Sequence, residues 1–211
     1  MQATNHAFAP CLDDWQPWTP QEVWSRLRHV DARWCIAAGW AIDLFLQGRP
    51  REHEDIEIAV PANEFAKINA ALADCDLFVV AAALATPLEA ASREMLGNSH
   101  QTWARDRVTG KWRLDIFREP SLEGRWVARR DSRIQLAYDE LILFDPQGIP
   151  FACPEVVLLF KAKAVREKDQ LDFDRVLPFM HEGRRKWLHD ALKRVHPSHA
   201  WSEQLALLRS T

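Results

Sequence analysis

The segment Trp34 to Val60, WCIAAGWAIDLFLQGRPREHEDIEIAV, constrains this chain more than any other, because it closes on two acids spaced i, i+2, Asp55 and Glu57. In an extended strand such residues point the same way. Ile56, Ile58 and Val60 alternate with them and are β-branched and apolar. Burial of that face leaves the two carboxylates side by side on the other. Adjacent carboxylates repel unless a proton or a cation lies between them. A divalent ion such as Mg²⁺, which takes hard oxygen ligands from one or two carboxylates and completes its shell with water and phosphate oxygens, answers that requirement. Upstream, the apolar run Trp34–Ala38 meets Gly39 and then a helical pattern, Trp40 to Leu46. A strand, a glycine turn and a helix N-terminus together offer free backbone N–H groups to a phosphate.

Length and composition narrow the setting. The chain has 211 residues, 47% of them hydrophobic, enough for one sizeable core or two small ones. With 27 basic against 30 acidic side chains and a net charge of −3, mixed along the sequence, nothing resembles the basic stripe of a nucleic-acid track, so nucleic acid is not the expected partner. No stretch approaches the ~20 apolar residues of a membrane span, and the first fifteen residues lack the regions of a secretory signal, so a cytoplasmic protein is expected. Cys11, Cys35, Cys75 and Cys153 show no C-x-x-C spacing and read as reduced, mostly buried thiols. Ten tryptophans against one tyrosine point to indole rings in the core and at interfaces, Trp40 being the one beside the turn glycine.

Along the chain, Thr19-Pro20-Gln21-Glu22 reads as a capped helix start running to about His29. Pro61-Ala62-Asn63 opens a second helix with Phe65, Ile68, Ala71 and Leu72 on one face, and Asp76 to Ala82 reads as a buried strand. Leu84 to Asn98 is expected to be a loop or short helix over the mouth of the site. Strands at Gln101–Arg107 and Lys111–Phe117 form a hairpin that carries Asp115 toward the acid-bearing strand. Short strands follow near residues 125–128, 133–136, 141–144 and 149–152. From Pro154 the pattern is helical, with further helices at Phe173–Met180, Lys186–Val195 and Trp201–Leu208. Residues 168–174 read as an acidic turn between helices, without a catalytic role.

Gly39-Trp40-Ala41-Ile42-Asp43 followed by Arg51-Glu52-His53-Glu54-Asp55-Ile56-Glu57 resembles the nucleotidyltransferase superfamily, in particular its branch of aminoglycoside 2''-adenylyltransferases and similar antibiotic-modifying enzymes. The likeness continues through Trp112–Ile116, Gly148–Phe151 and Pro154–Lys163. Two positions depart from the family pattern: Ala38 stands where relatives carry Gly-Gly or Gly-Ser, and Glu57 replaces the commoner Asp. The resemblance implies an α+β fold, a nucleotidyltransferase-type mixed β-sheet flanked by helices, in a catalytic domain of residues 1–150, and a helical C-terminal domain at 151–211. It also implies an enzyme using one or two Mg²⁺ ions, held by Asp55, Glu57 and Asp115, to move a nucleoside monophosphate, AMP from ATP, to a hydroxyl of a small acceptor. Asp115 is then a metal ligand, a general base, or both. Gly39, Trp40, Arg51, His53 and Lys161 are the expected nucleotide-binding residues, His53 having the alternative of orienting the loop. An aminoglycoside-type acceptor would need an acidic cleft, for which Glu89, Glu94, Glu119, Glu123, Asp139 and Glu140 are the candidates. Transfer to a protein or tRNA end, and a scaffold that binds without turnover, remain open alternatives. Oligomeric state leaves no mark in the sequence.

Overall fold

The computed structural model describes residues 6–48 and 51–207. In chain order these form α1 (Pro20–Leu27), β1 (Cys35–Ile36), α2 (Ala38–Leu46), β2 (Glu57–Pro61), α3 (Phe65–Ala71), β3 (Cys75–Ala81), β4 (Leu84–Pro87), α4 (Arg93–Asn98), β5 (Gln101–Asp106) and β6 (Trp112–Glu119). They continue with β7 (Ser121–Leu122), β8 (Arg125–Val127), β9 (Gln135–Ala137), α5 (Tyr138–Leu141), β10 (Ile142–Phe144) and β11 (Pro150–Ala152). Four helices follow among the described residues, α6 (Pro154–Lys161), α7 (Glu167–Val176), α8 (Glu182–Val195) and α9 (Ala200–Leu207).

Eight strands make one mixed sheet in the order β10-β11-β1-β2-β6-β5-β3-β4, and β7-β8-β9 form a small second sheet. β1 runs parallel to β11 and β2 parallel to β6, while the remaining neighbours are antiparallel. The expected α+β architecture, a mixed sheet flanked by helices with a helical C-terminal end, is thus the observed one. At its centre Ile36, Ile58, Leu114 and Ile116 are fully buried against Ile42 of α2 and Leu158 of α6. The tryptophans behave as expected: Trp18, Trp34, Trp112, Trp126 and Trp201 are buried, and the other five pack partly buried against the two hydrophobic clusters.

Local chemistry explains the element starts. The Thr19 hydroxyl accepts from the Glu22 N–H at 3.2 Å and the Glu22 carboxylate accepts from the Thr19 N–H at 2.7 Å, a reciprocal capping box ahead of Pro20. Pro154 occupies the first turn of α6, where its missing N–H costs nothing.

Three segments differ from the sequence reading. β2 begins at Glu57, so Asp55 lies on the approach to the strand rather than within it. Leu84–Asn98 opens with β4 at the sheet edge remote from β1, and none of its residues lines the cavity beside Glu57. The hairpin to β4 turns on Ala82 and Ala83, both at positive φ (49° and 61°), a turn usually signalled by Asn or Gly. Residues 168–174 are helical, not a turn, and belong to α7.

Ala38, at the start of α2, has φ of 48°, a left-handed conformation that penalises any residue with a Cβ. Ala38→Gly should therefore raise the unfolding free energy by about 1 kcal/mol in urea titrations; no gain would mean that the turn does not hold this conformation in solution.

Candidate active site

The parallel pairing of β2 with β6 places Glu57 directly opposite Asp115. The Asp115 N–H donates to the Ile56 carbonyl at 2.9 Å, fixing the register one residue earlier, beside Asp55. Glu57 and Asp115 thus face each other across two adjacent strands, and Asp55, on the approach to β2, is near enough for its charge to act on both carboxyls. Asp115 is 4% exposed, and Gln101 on β5 donates its side-chain amide to Oδ2. Its other oxygen, Oδ1, is buried without a hydrogen-bond partner among the described residues. Burial raises the Asp115 carboxyl to about 7, with Asp55 adding to the shift. Burial likewise holds the Glu57 carboxyl well above the usual range, reinforced by the negative charges of Asp55 and Asp115 and opposed by Lys161 and Arg51.

Among the described residues no three His, Cys, Asp or Glu side chains close into a ready-made metal cage. The donor set nonetheless suits Mg²⁺: it consists of carboxylate oxygens, one of them an orphaned buried atom, and this ion habitually takes few protein ligands and shares its shell with phosphate. Asp55, Glu57 and Asp115 are the residues that would hold it.

Beside the acids lies a cavity of about 460 Å³ between the sheet and α6. Glu57 and Lys161 line it, together with Ala38 at the α2 turn, Phe117 and Glu119 of β6, and Trp126 and Arg129. The other expected nucleotide-binding residues stand behind this wall. Gly39 is packed: a Cβ there would fall 2.2 Å from Nη2 of Arg51 and 2.8 Å from Cε1 of His53. His53, its side chain 3% exposed, stacks on Trp40 with ring centroids 4.2 Å apart and bonds Asp43 through Nε2 at 2.7 Å. Its surroundings suit the loop-orienting alternative. Trp40 packs on the core, and its buried indole N–H has no partner among the described residues.

Sequence reasoning gave no role to a buried ion network behind the cavity. Asp43 accepts from the Arg51 N–H at 3.1 Å and from Arg175 at 2.9 Å. Asp172, fully buried, lies 3.0 Å from Lys161 Nζ, 3.5 Å from Arg51 Nε and 3.7 Å from Arg175 Nη1. Asp169 takes a second contact from Lys161 at 2.6 Å and is also bound by Arg166. Carboxylates on α7 therefore anchor Lys161 on the cavity wall and tie α7 to the loop that precedes the acids. The recurrence Asp169, Asp172, Arg175 at intervals of three was the available signal, since such spacing marks one helix face.

The fold so assembled is that of the nucleotidyltransferases. It superposes on a lincomycin-bound lincosamide antibiotic adenylyltransferase, LnuA, with a TM-score of 0.54 and 18% identity, covering 78% of this chain and all of that one. It also superposes on ANT(2'')-Ia in complex with adenylyl-2''-tobramycin, with a TM-score of 0.53 and 12% identity over 82% of this chain and 95% of that one. The sequence profile of the aminoglycoside-2''-adenylyltransferase family matches residues 21–106, the stretch that holds the glycine turn and both clustered acids. The resemblance drawn from the motifs is thus matched by the fold and, over residues 21–106, by that family's sequence profile. No curated protein sequence matches the chain significantly. Among the described residues no helix is long and apolar enough to cross a membrane.

The raised acids make stability depend on pH and on metal. An acid whose carboxyl is higher in the folded than in the unfolded chain binds extra protons on folding, so the metal-free protein loses stability as pH rises from about 4 through about 7, the window of Asp115. Mg²⁺ binds the ionised form. Thermal unfolding with and without Mg²⁺ should show a metal-dependent gain of a few degrees at pH 8 that shrinks toward pH 5; an equal or absent gain at both values would disqualify these acids as the metal site.

Proposed function

We propose that the protein is a Mg²⁺-dependent adenylyltransferase that moves AMP from ATP to a hydroxyl of a small, antibiotic-type molecule. The observation that carries this reading is the β2–β6 register, which sets Glu57 opposite Asp115 beside a cavity walled by Lys161. Residues 1–150 are the catalytic unit in this reading, and residues 151–211 the helical unit that contributes Lys161.

Each side chain has a defined task. Asp55 and Glu57 hold the ion, with Asp115 as the third oxygen donor; when bound, the metal neutralises phosphate charge and offsets the mutual repulsion of the acids. Lys161, steadied by Asp169 and Asp172, presents a fixed ammonium to the polyphosphate. Cations at Lys163 and Arg166 line the same end of the cavity and suit the same charge. Asp115 has one oxygen to offer, Oδ1, which accepts no hydrogen bond among the described residues and would serve either the ion or the acceptor's hydroxyl proton. The displaced group is pyrophosphate. Arg51 and His53 act from behind, by packing on Gly39 and holding the turn in place.

Asp55→Asn should lower acceptor-dependent pyrophosphate release by at least about a hundredfold while thermal unfolding remains cooperative. Release that persists in this variant would remove Asp55 from the chemistry, and a wild-type protein that binds Mg²⁺–ATP but transfers to no small molecule would move the reading to a macromolecular acceptor.

A further inference from the structure

Resting on that reading, the cavity wall carries information about its acceptor. Four cationic side chains line it, Arg129, Lys161, Lys163 and Arg166, against three acids, Glu57, Glu119 and Asp169. Glu57 belongs to the metal-binding set, and Asp169 is already bound by Lys161 and Arg166. The last acid, Glu119, is 3% exposed and pairs with Arg129 through Nη2 and, at 3.3 Å, through Nε. Its Oε2 also accepts from the Trp126 indole N–H at 3.3 Å. Of the six acids expected to make an acidic cleft, Glu119 is the one on the wall; Glu89, Glu94, Glu123, Asp139 and Glu140 are exposed and lie outside the lining.

Apart from Glu57, which that reading gives to the metal, a polycationic acceptor would thus find each carboxylate on this wall already paired. It would also face cations placed for a polyphosphate, and every ammonium group that it desolvated would need compensation. The rest of the lining is apolar, including Ala59, Phe117, Val156, Val157 and Phe160, and Cζ of Arg129 sits 5.1 and 5.5 Å from the ring centres of Phe117 and Phe160.

We infer that the cavity accepts a hydroxyl-bearing molecule with an extended apolar surface and at most one cationic amine, and that Arg129, by neutralising Glu119, is the residue that excludes polyamines. Removal of the Arg129 charge leaves Glu119 available to a second ammonium group. Removal of both charges restores a neutral wall.

The test is acceptor affinity, by titration calorimetry in the presence of Mg²⁺ and a non-hydrolysable ATP analogue, with lincomycin as the apolar, singly basic probe and tobramycin as the polyamine. Wild type should bind lincomycin at least about tenfold tighter. Arg129→Gln should narrow or reverse that ratio by about tenfold, and Glu119→Gln combined with Arg129→Gln should return it to the wild-type side, a recovery that simple loss of packing would not give. Because Arg129→Gln leaves a buried acid unpaired and so threatens folding, Arg129→Lys provides a second variant and should keep the lincomycin preference. Nucleotide binding with tobramycin held as tightly as lincomycin, with neither held, or with a ratio indifferent to Arg129, overturns the inference and leaves the transferase reading standing. Absence of Mg²⁺-dependent nucleotide binding overturns the transferase reading, and this inference with it.

Discussion

The structure depends on the parallel register between β2 and β6. Both strands are flanked on the sheet, β2 by β1 and β6 by β5, so their backbones are paired on either side and cannot slide. A shift of one residue would move every side chain to the opposite face, exposing Ile58 and Ile116 and burying the acids in the apolar layer. The same burial that fixes the register thereby fixes Glu57 opposite Asp115. Two like charges in an apolar setting are unfavourable, and the raised carboxyls of both residues record that cost. The acids are positioned by a hydrophobic core that would be better off without them, the usual mark of residues retained for chemistry.

A second constraint acts from the helical side. Asp43 and Asp172 are both nearly inaccessible, and each is bound by side chains from distant parts of the chain: His53 and the Arg175 guanidinium around the first, Lys161, Arg51 and Arg175 around the second. Loss of one partner from such a cluster strands a buried charge, which costs far more than a surface ion pair contributes. The cluster therefore couples the loop at 51–55, α2, α6 and α7 as one electrostatic unit. Lys161 reaches the cavity wall from a position defined on two sides by carboxylates, so its long side chain has little freedom left to lose when a phosphate arrives.

What was legible in the sequence was the part governed by local rules. Period-two alternation located the acid-bearing strand, the Val108-Thr109-Gly110 connection located the hairpin, and together they brought Asp115 next to Glu57. The capping signals at Thr19 and Pro154 located two helix starts. Elements governed by distant contacts were not legible. Asp43 looks like an acid favoured by a helix dipole, yet its partner Arg175 lies 132 positions away. The stretch 168–174 looks like a turn because it is crowded with acids, and the cations that make a helix of it tolerable, Lys161 and Arg51, lie outside it. The β3–β4 hairpin was hidden because two alanines occupy positions where Asn and Gly normally announce the turn.

The α2 turn shows how these two kinds of constraint meet. Gly39 is required there by packing: Arg51 and His53 occupy the space that a side chain would need. Ala38, one residue earlier, is tolerated in a left-handed conformation although glycine would adopt it more readily. Its methyl group lines the cavity beside Ala37 and adds to the apolar surface that an incoming ligand meets. The departure from the family pattern at this position therefore falls at the cavity rather than in the core. It exchanges backbone ease for apolar contact, in the same direction as the neutralised Glu119–Arg129 pair in the same lining, and the two features together make the cavity less suited to charge than its neighbouring acids alone would suggest.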